Sequence, residues 1–400
     1  MLLARVHPQL DEIPAADWDA LHDGHNPFVA HAFLAGLERH GCLRAQWGWT
    51  PRHLTLWDGD QLVAAAPAYA KQNSHGEFVF DHAWANAYAQ HGLQYFPKWL
   101  CAVPYSPVTG PRLLAREPAH RHALLAAFAE LGGRDGYSSV HVNFHTGQEE
   151  PDFDDAPRFA AGVDSHQLGS GEGGWLQRLD VQYHWRNPVD ADGRRWCSFD
   201  AFLAAFDHKH RKNIRQERAK VARAGVSFRV LDGHQASDID LKTIHGFYLQ
   251  TFAEYGNHPA LTLGFLRHLA TSMPSSLVLF IAEHEGVAVA GTLCLRGGDT
   301  LYGRYWGSRV AIPGLHFETC YYQGVDYCLR EGLTSFEPGA QGEHKLARGF
   351  LPTLVRSRHW IADPAFREAL GEWCRQEAAS VQRYAAALSS RSPFKQPEVP

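Results

Sequence analysis

The sequence predicts an α/β fold of the α+β kind, built from two similar halves. Three observations carry that expectation. LWDGDQLVAAAPAY in the first half and FIAEHEGVAVAGTLCL in the second each read as a strand, an acidic glycine turn and an apolar strand of small residues. Each half then continues with a helix and a strand, SSVHVNF in one and LTSFEPG in the other. Each also carries an HW pair, His184-Trp185 and His359-Trp360. Recurrence of element order predicts a duplicated domain, each copy a mostly antiparallel mixed sheet flanked by helices. The expected division is residues 1–190, residues 196–390 and a frayed tail at 391–400, with the boundary in the polar stretch 188–198.

The elements follow in order from local pattern. Trp18 and Leu21, then Phe33, Leu34 and Leu37 closed by Gly41, mark two short helices within residues 14–40. HLTLW, the turn Asp58-Gly59-Asp60 and LVAAAPAY form the first hairpin. Phe78 to Leu114 is too rich in aromatic residues and proline for one regular element and reads as a long, folded connection. Ala119 to Gly132 is a helix and Ser138 to Phe144 a strand, with His141, Asn143 and His145 on one face by alternation. A second hairpin-like region runs to Asn187. In the second half, one helix from Phe199 is expected to continue through HKHRKNIRQERAKVARAG. Helices from Leu241 to Tyr255 and Thr262 to Met273 precede a three-stranded meander from Ser276 to Gly307. Leu315 to Arg330 is a helix capped by Gly332, Thr334 to Glu337 and Leu354 to Ile361 are strands, and Pro364 to Leu388 is a long amphipathic helix.

Composition narrows the function. The chain has 400 residues, 45% hydrophobic and 20% charged, ordinary for a globular protein with ample core. Its 38 Lys and Arg against 43 Asp and Glu give a net charge of -5, so a polyanion would need a local basic patch. Seven widely spaced cysteines with no CxxC point to reduced thiols rather than a disulfide framework or zinc knuckle. The N-terminus lacks an apolar run of signal-peptide length, and no window approaches a membrane span, so a cytoplasmic location is expected.

Two stretches carry chemistry. FEPGAQGEHKLARGF, at Phe336–Phe350, gathers acids, an imidazole and cations around three glycines, directly after a strand. Ligand sites collect at such strand ends. Glu337, ending its strand, is the first candidate for a general base, with Glu343 and His344 behind it. Gln341, Lys345 and Arg348 are candidates for holding a substrate carboxylate or phosphate. Arg304, Tyr305 and Trp306 end the meander's third strand nearby, and His316 opens the next helix. His141 and His359 are further substrate-binding candidates; two imidazoles on the His141 strand also fit a metal, but no third ligand is near in sequence. The second stretch is the basic helix. Arg211, Lys212 and Arg215 are its phosphate-binding candidates, and Arg211, Arg215 and Arg218 share a face by helical spacing. A solvated basic face is the plainer alternative.

The stretches ANAYAQHGLQYFPKWL, PVTGPRLL, HRKNIRQERAKV, YGRYWG, LHFETCYYQGVDYC, FEPGAQGEHKLARGF and SRHWI together resemble the FemAB-like family of peptidoglycan biosynthesis or recognition, within the Gcn5-related N-acyltransferase superfamily. The resemblance implies two tandem Gcn5-related acyltransferase-like domains. It also implies transfer of an acyl or aminoacyl group onto an amine such as that of a peptidoglycan precursor. No tightly bound cofactor is implied; the donor is aminoacyl-tRNA or acyl-CoA, and neither DNA nor a membrane span belongs to the picture. One feature departs from the superfamily. Acyl-CoA users bind pyrophosphate with Arg/Gln-x-x-Gly-x-Gly/Ala before the helix that follows the meander. Here GSRVAIPGLHFE keeps Arg309 and Gly314 but has Ile312 in place of glycine. Two other readings stay open: an acyl-CoA-dependent N-acetyltransferase of small amines, and a non-catalytic module that binds peptidoglycan or tRNA.

Overall fold

A computed structural model describes residues 2–155, 174–189, 192–340 and 342–395. The chain divides into two compact units: Met1–Asp180 with Leu354–Arg383, and Val181–Thr353 with Tyr384–Pro400. The division falls at Asp180/Val181 rather than in the polar stretch 188–198, and the late strand and most of the last helix return to the first unit. Polar composition marked a loop, but the hydrogen-bonded strand before it already belongs to the second unit.

In the first unit, the strands are β1 (Leu2–His7), β2 (Trp49–Pro51), β3 (His53–Asp58), β4 (Gln61–Ala66), β5 (Ala68–Lys71), β6 (Lys98–Cys101), β7 (Leu114–Ala115) and β8 (Ser139–Asn143). Its helices are α1 (Ala15–Asp19), α2 (His31–Arg39), α3 (His82–Gln90), α4 (Pro118–Arg134) and α5 (Glu150–Asp154). Strand β9 (Trp175–Arg186) leads into the second unit; the stretch before it, 156–173, where the other arm of the expected hairpin would fall, lies outside the described residues. There follow α6 (Phe199–Ala204), α7 (His208–Arg223), β10 (Val226–Asp232), α8 (Asp238–Glu254), α9 (Leu263–Ser272), β11 (Leu277–His284), β12 (Val287–Gly297) and β13 (Thr300–Ser308). Then α10 (Leu315–Phe317) passes through a π turn, Glu318–Tyr322, into α11 (Gln323–Glu331), followed by β14 (Ser335–Glu337). Strand β15 (Leu351–Ile361) and helix α12 (Pro364–Ser389) close the chain.

The duplication is explicit in strand order. In the second unit β10, β11, β12, β13 and β14 lie side by side, antiparallel except for the parallel pair β13–β14, and β9 pairs antiparallel with β14. In the first unit β1, β3 and β4 run antiparallel, β5 pairs with β6, β6 lies parallel to β8, and β15 pairs antiparallel with β8. The order is the same once β4 and β5 are read as one strand interrupted at Pro67, which cannot donate to a ladder. Strand β10, a fourth member of the expected meander, was hidden behind Gly225 at the end of a charged helix.

Each unit has its own core. Leu54, Leu56, Trp99, Phe128, Val140 and Val142 pack in the first, with α4 against the sheet. Trp185, Phe202, Phe280, Tyr322, Val325, Phe336 and Phe350 pack in the second. The expected single helix from Phe199 is two. Asp207 breaks it, with extended backbone and a side chain that caps the His210 amide. Residues 391–395 of the expected frayed tail pack against the second unit, and 396–400 lie outside the described residues. The Phe394 ring packs tilted against Phe206 at 4.6 Å, and the Lys395 amide donates to Ala205 O.

Candidate active site

The parallel ladder between β13 and β14 stops at Tyr302 opposite Glu337, while β13 runs on to Ser308. Pro338 ends β14 because it lacks an amide hydrogen. The chain then turns at Gly342, whose φ of 115° suits only glycine, into a short 3-10 helix, Glu343–Arg348. Gly349 ends that helix in a left-handed conformation. A β-carbon there would stand 2.7 Å from the Phe206 ring. The two strands therefore part at Glu337, and the charged loop folds beside the parting.

Glu337 is buried, at 8% exposure. Its Oε1 lies 3.8 Å from Nδ1 of His184 on β9. His184 Nε2 faces Gln182 Oε1 at 3.2 Å. With the ring proton on Nε2, Nδ1 presents a lone pair to the carboxylate, and Nδ1 makes no hydrogen bond among the described residues. Burial, with Arg186 and Lys345 nearby, pushes the His184 pKa down to about 3, so the ring is neutral at pH 7. Arg304 on β13 lies within electrostatic reach of Glu337, and burial lowers the pKa of its guanidinium. Lys345 is buried and donates from Nζ to Gly339 O at 2.7 Å. Burial lowers its pKa to about 8, with Arg304 adding to the shift.

Aromatic rings line the loop. Trp306 meets His316 edge-on at 5.2 Å, and His316 meets Tyr321 at 5.5 Å. Tyr321 Oη and His344 Nε2 are 2.9 Å apart. Burial lowers the His316 pKa to about 4, helped by His344, Arg348 and Lys345. The π turn adds one residue to the helix at this point and so swings Tyr321 toward the loop and Tyr322 toward α7. Tyr305 is half-buried and packs edge-on against Tyr248 at 4.9 Å.

Several expected roles are revised. Arg348 is already engaged: Nη2 and Nε bind Glu217 at 2.6 and 3.2 Å, Nη1 donates to His344 O, and the guanidinium lies 3.4 Å over Phe317. It holds the loop rather than a substrate phosphate. Glu343 is exposed and accepts from Tyr384 Oη at 2.5 Å, with Arg391 at 3.7 Å. Its partners are α12 and the tail, not Glu337 or His184. Gln341 lies outside the described residues. His141 and His359 belong to the first unit and are fully buried. Their Nδ1 atoms stand 2.6 Å apart, and Nε2 of each lies 2.8 Å from a serine, Ser139 or Ser357. They are a core pair rather than substrate ligands. Alternation on their strand ends at Phe144, whose φ of 56° breaks the expected face before His145. Among the described residues no cluster has the makings of a metal site.

The basic helix splits by function. Arg218 turns inward to Glu318 at 3.0 Å and Asp326 at 2.7 Å, leaving the face predicted for it. Lys212, Arg215, Lys220 and Arg223 are exposed, and with His208 and Arg211 they line a shallow groove along α7. The residues missed from the sequence are His184, Glu217 and Tyr321. The repeated HW pair pointed at His184, and Glu217 is the one acid in a run of bases.

The sequence model of the FemAB-like family, peptidoglycan biosynthesis/recognition, matches residues 9–396. The chain belongs to the FemAB-like family. Its fold is that of tandem Gcn5-related acyltransferase-like domains. The crystal structure of FemX superposes with a TM-score of 0.50 at 12% identity, covering 89% of this chain and 98% of that one. L-PGS from Bacillus licheniformis does so with a TM-score of 0.50 at 10% identity, covering 93% and 98%. Identities this low speak to the fold alone. No curated protein matches this FemAB-like chain by sequence. None of its described helices is long and apolar enough to cross a membrane.

Proposed function

We propose that the second unit is an N-acyltransferase site that moves an aminoacyl group from tRNA onto an amine of a peptidoglycan precursor. The observation that carries this reading is Glu337, a buried carboxylate at the parting of two parallel strands, facing the bare Nδ1 of a neutral histidine. The neutral amine attacks the ester carbonyl carbon, the new C–N bond forms, and the C–O bond to the ribose breaks. Glu337 takes the amine proton, with His184 Nδ1 as the neighbouring acceptor. The departing ribose oxygen takes up a proton in turn. Lys345, protonated below about pH 8, and Arg304 supply positive charge for the carbonyl oxygen.

The exposed bases of α7 support a polyanionic donor. Acyl-CoA is the weaker reading. Arg309 stacks near Phe247 at 5.2 Å, and Ile312 stands where a phosphate-binding glycine would be. Family membership supports the peptidoglycan acceptor. The test incubates the protein with aminoacyl-tRNA or acetyl-CoA and a muramyl pentapeptide, and weighs the products by mass spectrometry. Mass gain from the tRNA donor alone is expected. Gain only from acetyl-CoA overturns the donor, and no gain from either overturns the reading.

A further inference from the structure

Glu217 is the only acid within the basic helix α7, and its carboxylate is used on two sides. On one it binds Arg348 through Oε1 and Oε2, at 2.6 and 3.2 Å. On the other it accepts the hydroxyl of Tyr322. Arg348 passes the restraint on, since its Nη1 holds His344 O at 2.7 Å. The next residue, Lys345, is tied back to Gly339 O at 2.7 Å. Tyr322 sits in the π turn beside Tyr321, whose hydroxyl meets His344 Nε2 at 2.9 Å. The loop is thus gripped at its backbone through Arg348 and at the His344 ring through the π turn, and both grips lead to one carboxylate. Glu217 itself is held on a rigid helix: Ile214 and Val221 are buried on either side of it, and Arg218 ties α7 to Glu318 and Asp326.

We propose that Glu217 is a positioning residue for acyl transfer, setting the loop at residues 342–350 through Arg348 and Tyr322; the proposal rests on the transferase reading of that loop. An ion pair that only adds stability needs one partner. Here the carboxylate binds the loop through both oxygens, and Oε2 also accepts from the π turn. Arg348 is 8% exposed, so without Glu217 its charge stays buried against the His344 carbonyl and the Phe317 ring, with no carboxylate to answer it among the described residues. Geometry lost at that point shifts Lys345 and His344 together. Small displacements of this kind are costly to a reaction that depends on orientation.

The test uses the full chain with Glu217→Gln, and Glu217→Asp as a milder variant should the first fold poorly. Hydrogen exchange, followed by mass spectrometry, reads residues 342–350 without any substrate. Transfer kinetics read kcat and KM. About tenfold faster exchange in the loop is expected, with β11 unchanged. Alongside it kcat should fall by at least about tenfold while KM for the donor stays put, with Glu217→Asp recovering part of both. Unchanged loop exchange overturns the proposal. Faster exchange with unchanged kcat overturns it too, leaving Glu217 a stabilising group only. If the parent protein transfers nothing, the transferase reading falls and takes the positioning role with it. That outcome is recognised from the parent protein alone.

Discussion

His359 Nδ1 lies 2.6 Å from His141 Nδ1, and this pair occupies the strand positions that His184 and Glu337 occupy in the other unit. Trp360 pairs with Val140 and His359 with His141, just as Trp185 pairs with Phe336 one residue before His184 and Glu337 come opposite each other. The neighbouring strands agree, since Leu100 pairs with His141 and Tyr302 with Glu337. One copy has a carboxylate where the other has a second imidazole. Only the second unit places a carboxylate directly opposite the strand histidine, which favours chemistry there.

The buried histidines make stability fall in acid. Burial holds His141 and His359 well below their ordinary pKa, and His184 at about 3. Between those values and the unfolded value near 6.5, the unfolded chain binds more protons, so stability is full above about pH 6.5 and is lost as pH falls below it. Each such imidazole contributes a slope of about 1.4 kcal/mol per pH unit. Urea unfolding at pH 7 and pH 5 should show the loss. His359→Gln should flatten the slope by about one proton; an unchanged slope would mean the pair is charged when folded.

Glu337→Gln should slow transfer by about 10²–10⁴-fold while keeping the fold. The amide is nearly isosteric with the acid but cannot take a proton, and loss of a general base costs about 10²–10⁴-fold in rate. Product mass after timed incubation measures it, and the melting temperature should move by no more than a few degrees. Full activity in this variant would remove Glu337 from the chemistry.

The fold was legible where the signal was local. The Asp58-Gly59-Asp60 turn, the β11–β13 meander and the Gly332 cap all lie within a few residues of what they determine. The site was legible only in part. Glu337 and Lys345 stood out because an acid and a lysine fall in one short loop. The partners that decide their roles come from far away: Glu217 is 131 residues from Arg348, and His141 is 218 from His359. Periodicity carries no information on such pairings. It placed Arg218 with Arg211 and Arg215, but two buried or half-buried acids, Glu318 and Asp326, drew it inward. Residue type in the loop likewise offered Arg348 as a carboxylate or phosphate ligand, although Glu217 already occupies that guanidinium.

Transfer should weaken as pH rises past about 8. Burial lowers the Lys345 pKa to about that value, so above it the positive charge beside the carbonyl is lost. For the fold the effect has the opposite sign. The unfolded lysine stays protonated to higher pH, so stability from this group is absent below about pH 8 and grows from there toward 10.5. A pH–rate profile should therefore show an alkaline limb near 8 while unfolding becomes harder over the same range. Lys345→Met should remove that limb, lower the rate and raise stability at pH 7. A profile flat to pH 9.5 would exclude a role for the Lys345 charge.

The two sides of α7 should respond differently to mutation. Arg211, Lys212 and Arg215 line the groove on its outer face, so each change to glutamine should weaken tRNA binding without harming the fold. Each phosphate left without its cation should lower the slope of log K against log salt by about 0.7 to 0.9. Arg218→Gln should leave that slope alone. It takes the cation from Glu318, which is 4% exposed and keeps only the Gln323 amide as a side-chain donor among the described residues, and should cost about 2 kcal/mol of stability. Filter binding of tRNA at about a dozen salt concentrations, from roughly 50 to roughly 300 mM, with urea unfolding of the same variants, separates the two. Equal salt slopes for Arg215→Gln and the parent protein would mean that α7 carries a merely solvated basic face, and the donor would then have to be sought among small thioesters.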